Sequence, residues 1–387
     1  MTEENKDPYV GTIRVTGKGV GYFSLPAEAE AKAGLLPDED FEIQPENIAT
    51  ALNRDTVKVA DLKKESLGRK QAKVLEIIER HKTEFVGTLE KDEQGFFMVP
   101  DDKRLYRDIY IAPHLAKDGK HGDKVQVKII EWTDPSKSPK GEVMRIIGRA
   151  GEHNTEIHGI VYESGFEVDF PPEVEKEANE WKKKWDKENH LKDRKDFREV
   201  TTFTIDPVDA KDFDDAISLK KLDSGDYEIG VHIADVSHFV QEKTELDKEA
   251  RKRGTSIYLV DRTIPMLPEV LSNDLCSLNP NEDKYAFSAV FVMNTEGRVK
   301  EHWFGRTLIN SDKRFSYEEA QEVLDKDKGT FYEELKILNE LAKKLREEKF
   351  KNGAIEFESE EIKFELDENG KPIRVFKKER KDTHKLI

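Results

Sequence analysis

Over residues 8–149, apolar and polar positions alternate with a period of two between glycine-bearing turns, the pattern of short antiparallel strands. The pattern is used twice. Val10-Gly11-Thr12 opens one run and Val86-Gly87-Thr88 opens another. A glycine-aromatic turn follows each, Gly19-Val20-Gly21-Tyr22-Phe23 in the first and Gly95-Phe96-Phe97 in the second. Each then reaches an aspartate leading into alternating valines, Asp55-Thr56-Val57-Lys58-Val59 and Asp123-Lys124-Val125-Gln126-Val127. The spacing predicts two small five-stranded barrels of the OB type, near residues 8–79 and 82–149.

The character then changes. Pro171-Pro172 interrupts regular structure just before Glu173, where acids in a first turn predict a helix start. Trp181 and Trp185 fall on one face of that helix and read as a packing seam. Residues 150–200 are therefore expected to be a linker and a helical entry to a second half, 201–387. There Thr201 to Ile205, Ala216 to Leu219 and Tyr227 to Ile233 read as strands, with Asp223-Ser224-Gly225-Asp226 as a turn. Leu335, Ile337, Leu338, Leu341 and Leu345 form the stripe of a helix that covers a sheet. Phe357, Ile362, Phe364 and Leu366 suggest further strands, turned at Asn369-Gly370. The expected chain is multidomain and β-rich, ending in a mixed α/β region.

Bulk composition adds limits. A length of 387 residues suits several domains, and 36% hydrophobic against 38% charged residues is polar but sufficient for cores. The net charge of −16 argues against a uniformly basic surface that coats nucleic acid. Local basic channels and bound cations still permit nucleic acid as a substrate. Cys276 is the single cysteine, so no intrachain disulfide forms, and its neighbours Leu275 and Leu278 predict a buried thiol. The N-terminus lacks the sections of a signal peptide and no apolar run reaches membrane-spanning length. The expectation is a cytoplasmic protein without a membrane partner.

The candidate chemistry sits in Thr204-Ile205-Asp206-Pro207-Val208-Asp209-Ala210-Lys211-Asp212-Phe213-Asp214-Asp215-Ala216. Its crowded carboxylates repel one another unless a cation shares the space. Hard oxygen ligands favour Mg2+, with Mn2+ as the substitute, and a pair of such ions can drive phosphodiester cleavage. A solvated acidic turn and a calcium loop are the alternatives, but the glycine and closing glutamate of the calcium hand are absent. Asp214 and Asp215 would diverge on a regular strand, so serving one site requires a turn, with Phe213 as its apolar anchor.

In the barrels, Tyr22 and Phe96 are the candidate base-stacking aromatics, and Lys18 and Arg104 the candidate phosphate contacts. Arg194, Arg198 and Arg251 are further phosphate candidates, each with an ordinary surface-charge alternative. His232 and His238 lack the company of a zinc site, and structural hydrogen bonding is the expected role of His232.

The segment 204–216 also resembles the signature of the catalytic RNB domain of the ribonuclease II and ribonuclease R family. Supporting blocks follow in order: Val231-His232-Ile233-Ala234-Asp235-Val236-Ser237, Gly254-Thr255-Ser256-Ile257-Tyr258, Ile264-Pro265-Met266-Leu267-Pro268 and Leu271-Ser272-Asn273-Asp274-Leu275-Cys276-Ser277-Leu278-Asn279-Pro280. The run Asp274 to Leu278 is closer to ribonuclease R. The resemblance implies two cold-shock domains followed by part of an RNB catalytic domain. It implies processive 3′-to-5′ hydrolysis of single-stranded RNA to nucleoside 5′-monophosphates, in a channel that admits one strand. By the same resemblance Asp206, Asp212 and Asp215 are metal ligands and Asp214 positions the attacking water, while Asp209 takes no assigned part. Tyr258 corresponds to an aromatic that stacks on bases near the 3′ end, and Phe357 to its opposing partner. Complete members continue through the rest of the catalytic domain and usually an S1 barrel. The chain is thus expected to be truncated from an exoribonuclease, with the activity of the piece itself left open. A noncatalytic RNA-binding fragment and a regulatory interaction module are the alternatives, and no protein partner is indicated.

Overall fold

The computed structural model describes residues 8–24, 40–66, 68–93, 95–185, 191–355, 360–368, 370–378 and 380–386. Phe357 and Asn369, read above as a base clamp and part of a turn, lie outside them. Internal contacts divide the chain into two units, Met1–Val168 and Asp169–Ile387.

The first unit holds two barrels. Strands β1 (Tyr9–Val15), β2 (Gly21–Ser24), β3 (Phe41–Ile43), β4 (Thr56–Ser66) and β5 (Arg69–Glu79) close in the order β1-β2-β3-β5-β4. Strands β6 (Glu84–Lys91), β7 (Phe96–Pro100), β8 (Ile109–Ile111), β9 (Asp123–Glu131) and β10 (Lys140–Arg149) close in the order β10-β8-β7-β6-β9. Closure leaves no open edge, and alternate residues fill each interior. Ile13, Phe23, Phe41 and Val57 do so in the first barrel, and Leu89, Met98, Ile109 and Val125 in the second.

The repeated aspartates have a shared structural cause. Asp55 accepts from the Leu52 amide at 2.8 Å, and Asp123 from the Lys120 amide at 2.8 Å, each carboxylate closing the turn before its strand. Arg80 pairs with Asp55 at 2.6 Å and Arg149 with Asp123 at 2.9 Å, so both buried acids carry a guanidinium partner.

The stretch 150–200 divides between the two units. Helix α1 (His153–Glu163) packs on β6, β9 and β10, and its Glu163 carboxylate accepts from the Val86 amide at 2.6 Å. It belongs to the first unit, whereas α2 (Pro172–Trp185) belongs to the second. Four-residue spacing brings Trp181 edge-on to Phe239 at 5.7 Å and Trp185 edge-on to Tyr285 at 4.7 Å. The pair is a packing seam.

The second unit is built on a seven-stranded mixed sheet. Its chain order runs β11 (Lys195–Asp196), β12 (Thr202–Asp206), β13 (Asp215–Lys221), β14 (Tyr227–Ala234), α3 (Val236–Phe239), α4 (Glu245–Arg253), β15 (Ile257–Tyr258) and β16 (Thr263–Ile264). A π-helical turn, Val270–Leu275, leads to β17 (Asp283–Met293), β18 (Val299–Asn310), β19 (Lys313–Ser316), α5 (Tyr317–Asp325) and α6 (Tyr332–Lys351). The hairpin β20 (Ile362–Leu366) and β21 (Pro372–Lys377) and the short α7 (Thr383–Leu386) follow. The sheet order is β11-β18-β17-β14-β13-β12-β19, with β15–β16 and β20–β21 as separate two-stranded pieces.

Alternation sends the two faces of the sheet to different cores. Ala216, Ala234 and Ala286 pack with Ala178 of α2, Leu246 of α4 and Leu271, a cluster that also buries Cys276. Phe203, Ile205, Leu219 and Ile229 pack with Ala320 of α5 and Leu335, Leu338 and Leu341 of α6. The predicted stripe of α6 thus finds its sheet, except that Leu345 is exposed. Gly225, at φ +83°, supplies the left-handed backbone of the β13–β14 turn. No helix among the described residues is long and apolar enough to cross a membrane.

Candidate active site

Strand β12 ends at Asp206 and β13 begins at Asp215, and they pair antiparallel at Thr202↔Ser218 and Phe203↔Ile217 before parting. Residues 207–214 are therefore an excursion whose two ends return to neighbouring strands. Flanking strands hold both ends, with Asp206 opposite Ser316 on β19 and Asp215 opposite Ile233 on β14. Just beyond Asp206, a capping box between Ser316 and Glu319 starts α5.

The excursion is pinned along its length. The Arg314 guanidinium donates to the Pro207 carbonyl. Ser277 Oγ donates to the Lys211 carbonyl at 3.0 Å and accepts from the Phe213 amide at 3.0 Å. The Phe213 carbonyl accepts from the Leu278 amide at 2.9 Å, and the Asp214 carbonyl from the Ala234 amide at 2.9 Å. Phe213 is buried in the core cluster, as an apolar anchor requires, and the Arg314 guanidinium lies 5.5 Å from its ring centroid.

The acids perturb one another. Burial pushes the Asp206 carboxyl up to about 6, and the charges of Asp215 and Asp212 push the same way. The nearby Thr204 hydroxyl and the Arg314 charge oppose that rise without cancelling it. The Thr204 hydroxyl nevertheless falls short of hydrogen-bond geometry, and Asp206 Oδ2 is buried with no hydrogen-bond partner. Asp214 is raised by burial and then by Asp212 and Asp215, and Asp215 is raised by burial. Tyr317 is raised by burial and then by the charges of Asp206 and Asp215.

Asp212 is engaged differently. Its Oδ2 accepts a 2.9 Å hydrogen bond from the hydroxyl of Tyr258 on β15. Among the described residues no three His, Cys, Asp or Glu side chains converge into a complete ion-binding group. The donor set still suits Mg2+ or Mn2+. It consists of carboxylate oxygens, and the orphaned, desolvated oxygen of Asp206 is the kind that a hard cation satisfies.

Beside the acids lies a cleft of ≈ 750 Å³, lined among others by Asp209, Asp212, Tyr258, Arg262, Lys363 and Phe364. The 207–214 excursion, the β15–β16 hairpin and the β20–β21 hairpin bound it. Asp206, Asp214 and Asp215 do not line it.

The barrel candidates fare unequally. Tyr22 faces outward while Phe23 is fully buried, and the guanidinium carbons of Arg14 and Arg69 lie 5.5 and 5.2 Å from the Tyr22 ring centroid. Phe96 corrects the expectation of an exposed stacking ring. It shares the inward side of β7 with fully buried Met98 and packs against the barrel core. The outward position belongs to Phe97, whose ring meets Tyr110 at 5.4 Å. Lys18 is exposed on the β1–β2 turn. Arg104 is also exposed, but Asp102 holds its guanidinium through contacts of 2.8 to 3.1 Å, so its charge is partly neutralised.

Other sequence candidates are held in ion pairs or hydrogen bonds, Arg194 and His232 in the interior and Arg251 with its side chain still 69% exposed. Arg194 is 3% exposed, donates to Asp235 at 2.7 Å and lies 3.7 Å from the Tyr285 ring centroid. Burial alone would raise Asp235, but hydrogen bonds from Arg194 and Ser237 and the charges of Arg194 and Arg306 hold it below the usual carboxylate range. Arg198 pairs with Asp196 and Asp283, and Arg251 with Asp247. His232 is fully buried between Ser288 Oγ at 2.6 Å and Ser218 Oγ at 2.9 Å, and burial pushes it down to about 4.

Sequence reasoning gave no part to Ser277, Arg314 or Tyr317. Ser277 stands inside the run Leu271 to Pro280, which was its only signal. Arg314 and Tyr317 lie outside every run that resembles the family, and only the parallel pairing of β19 with β12 brings their segment to the acids.

Two closed barrels and a mixed sheet with a pinned acid loop define a tandem-barrel protein with an acid-bearing α/β domain. The sequence pattern of the RNB domain matches residues 194–387, and that of the cold shock domain matches 97–171. Ribonuclease R of Thermotoga maritima is 38% identical over 390 residues, covering 99% of this chain and 53% of that protein. Ribonuclease R 1 of Lactococcus lactis is 33% identical over 406 residues, covering 100% of this chain and 48% of that protein. The structure of Mycoplasma genitalium RNase R in complex with ribose methylated single-stranded RNA superposes with a TM-score of 0.85 at 26% identity, covering 97% of this chain and 59% of that one. The chain belongs to the RNB-domain family and is closely related to ribonuclease R. It spans about half the length of the curated relatives it matches.

Proposed function

We propose that this chain carries the cation-binding and nucleotide-seating part of a 3′-to-5′ exoribonuclease that hydrolyses single-stranded RNA processively to nucleoside 5′-monophosphates. The observation that carries the reading is the pinned acid loop, with the unpartnered buried oxygen of Asp206 at its root. The relatives' names support the reaction class, and the single-stranded RNA in the Mycoplasma complex supports the substrate.

Asp206, Asp212 and Asp215 are the residues we assign to hold Mg2+. When bound, such ions activate water and stabilise the charge on the departing oxygen. Asp214 holds and orients the attacking water, and its raised carboxyl is the better proton acceptor for it. Tyr258, 66% exposed beside the cleft, offers its ring to the terminal base. Lys363 lines the cleft beside Arg262 and Lys378 and faces the phosphate backbone, the charges of the latter two being partly neutralised by Asp261 at 2.7 Å and Glu361 at 3.0 Å. Tyr22 beside Arg14 and Arg69 gives the first barrel a sequence-tolerant contact for single-stranded RNA.

The test follows a 5′-labelled single-stranded RNA with and without Mg2+, beside an Asp214→Asn variant. Mg2+-dependent shortening from the 3′ end, lost in the variant, supports the reading. Mg2+-independent products, or internal cuts that persist in Asp214→Asn, overturn it.

A further inference from the structure

Asp212 stands apart from its fellow acids in one respect: its carboxylate is already taken. Tyr258 donates to Asp212 Oδ2 across 2.9 Å, joining the acid loop to the β15–β16 hairpin. Asp206, by contrast, keeps an unpartnered buried oxygen. The tyrosine ring is 66% exposed, and ring and carboxylate line the same cleft. A planar base seated in that cleft meets the ring that anchors Asp212.

We propose that the Tyr258 hydroxyl is a positioning group that withholds Asp212 from the cation cluster, and that a nucleotide seated on the Tyr258 ring releases it. The inference rests on the reading of Asp206, Asp212 and Asp215 as cation ligands. A carboxylate oxygen that accepts a hydrogen bond from a hydroxyl donates less of its charge to a cation, and its direction is fixed by the bond. Moving the ring to stack on a base breaks or lengthens the bond, and the freed carboxylate turns to the cation. Cation loading and occupation of the cleft by RNA then strengthen each other. The coupling is reciprocal by thermodynamic necessity. Its anchor is a two-residue strand pair, Ile257↔Ile264 and Tyr258↔Thr263, small enough to shift as a unit.

The test is a four-cornered cycle on the full chain, with Mn2+ as the probe. Free Mn2+ is read by electron paramagnetic resonance for wild type and Tyr258→Phe, which keeps the ring and deletes the hydroxyl. In the absence of RNA, Tyr258→Phe is expected to bind Mn2+ about 3- to 10-fold more tightly, the range for a charged hydrogen bond discounted for exposure. The coupling is then read from the RNA side, by anisotropy of a labelled ribose-methylated oligonucleotide with and without Mn2+. Mn2+ is expected to tighten RNA binding to wild type by a similar factor and to Tyr258→Phe by much less. Equal or weaker Mn2+ binding by Tyr258→Phe, or an unchanged coupling factor, overturns the proposal. An Asp206→Asn/Asp215→Asn double variant separates that failure from a deeper one. If it binds Mn2+ as well as wild type does, the cation reading itself is wrong and this inference falls with it.

Discussion

Ser277 reaches across 64 positions of sequence to accept from the Phe213 amide at 3.0 Å, while its own proton goes to the Lys211 carbonyl. One fully buried hydroxyl thereby satisfies a donor and an acceptor of the loop that carries Asp212 and Asp214 and leads into Asp215. Ser277→Ala leaves both backbone groups without that partner and is expected to cost about 2–3 kcal/mol of stability. Turnover should fall with it while RNA affinity holds, since the acids lose their frame and the basic groups do not. Urea unfolding and RNA anisotropy on the same preparation check both halves.

Asp206 predicts an inverse relation between stability and pH. Its folded-state value near 6 stands above the ordinary 3.8, so its contribution is fully present below about 4 and is lost as pH rises through 6. Asp206→Asn is expected to stabilise the cation-free chain by about 1–2 kcal/mol at pH 7 and to leave it unchanged at pH 4, after discounting for solvent screening. Added Mg2+ should raise the stability of wild type and not of the variant. Denaturant titrations at both pH values, with and without Mg2+, measure each term.

His232 predicts the opposite slope. Its folded-state value near 4 lies below the ordinary 6.5, so its contribution is present above pH 6.5 and is lost as pH falls through 4. The loss amounts to about 2–3 kcal/mol across that window. His232→Gln should flatten this part of the profile while lowering stability throughout, because Ser218 and Ser288 lose a fitted partner. The two groups titrate in overlapping windows with opposite signs, so only the variant-minus-wild-type differences isolate them.

The same pocket makes Gly230 sensitive. A Cβ there would stand 2.5 Å from both His232 Nε2 and Ser218 Oγ, closer than real contacts allow. Gly230→Ala is expected to lower the melting temperature by disrupting that hydrogen-bonded trio, an effect that the His232→Gln background should absorb only in part because the Ser218 contact stays.

Arg194 and Asp235 separate structure from RNA contact. With 3% and 1% exposure, they form a buried pair whose breakage leaves Asp235 with only the half-exposed Arg306 at 3.6 Å and the Ser237 hydroxyl. Arg194→Ala is expected to cost about 3–5 kcal/mol. The fraction that remains folded should bind RNA normally, as measured by anisotropy below the unfolding transition. A weakened affinity at full folding would return Arg194 to the phosphate contacts.

The parts legible in the sequence were those built from near neighbours. Strand alternation exposed both barrels, and the aspartate that opens each valine run closes a turn three residues back. The acid loop was legible because its chemistry is contiguous, and Phe213 as its anchor followed from one apolar residue among acids. Helices α2 and α6 followed from spacing along a single face. Long-range partners were not legible. Alternation alone could not say which of Phe96 and Phe97 faces inward, since that depends on which side of β7 the barrel closes. Arg194 looked like a phosphate contact until Asp235, 41 positions on, took its charge.

By itself the sequence determined the two barrels, the strands around the acid loop and the crowding of carboxylates in it, because period, turn chemistry and residue type are local properties. Only the tertiary structure decided which acid loses its water, which is tied to Tyr258 and which arginines are spent in the core. Desolvation and hydrogen bonding depend on what the rest of the chain places alongside, and those neighbours come from strands and turns far away in sequence.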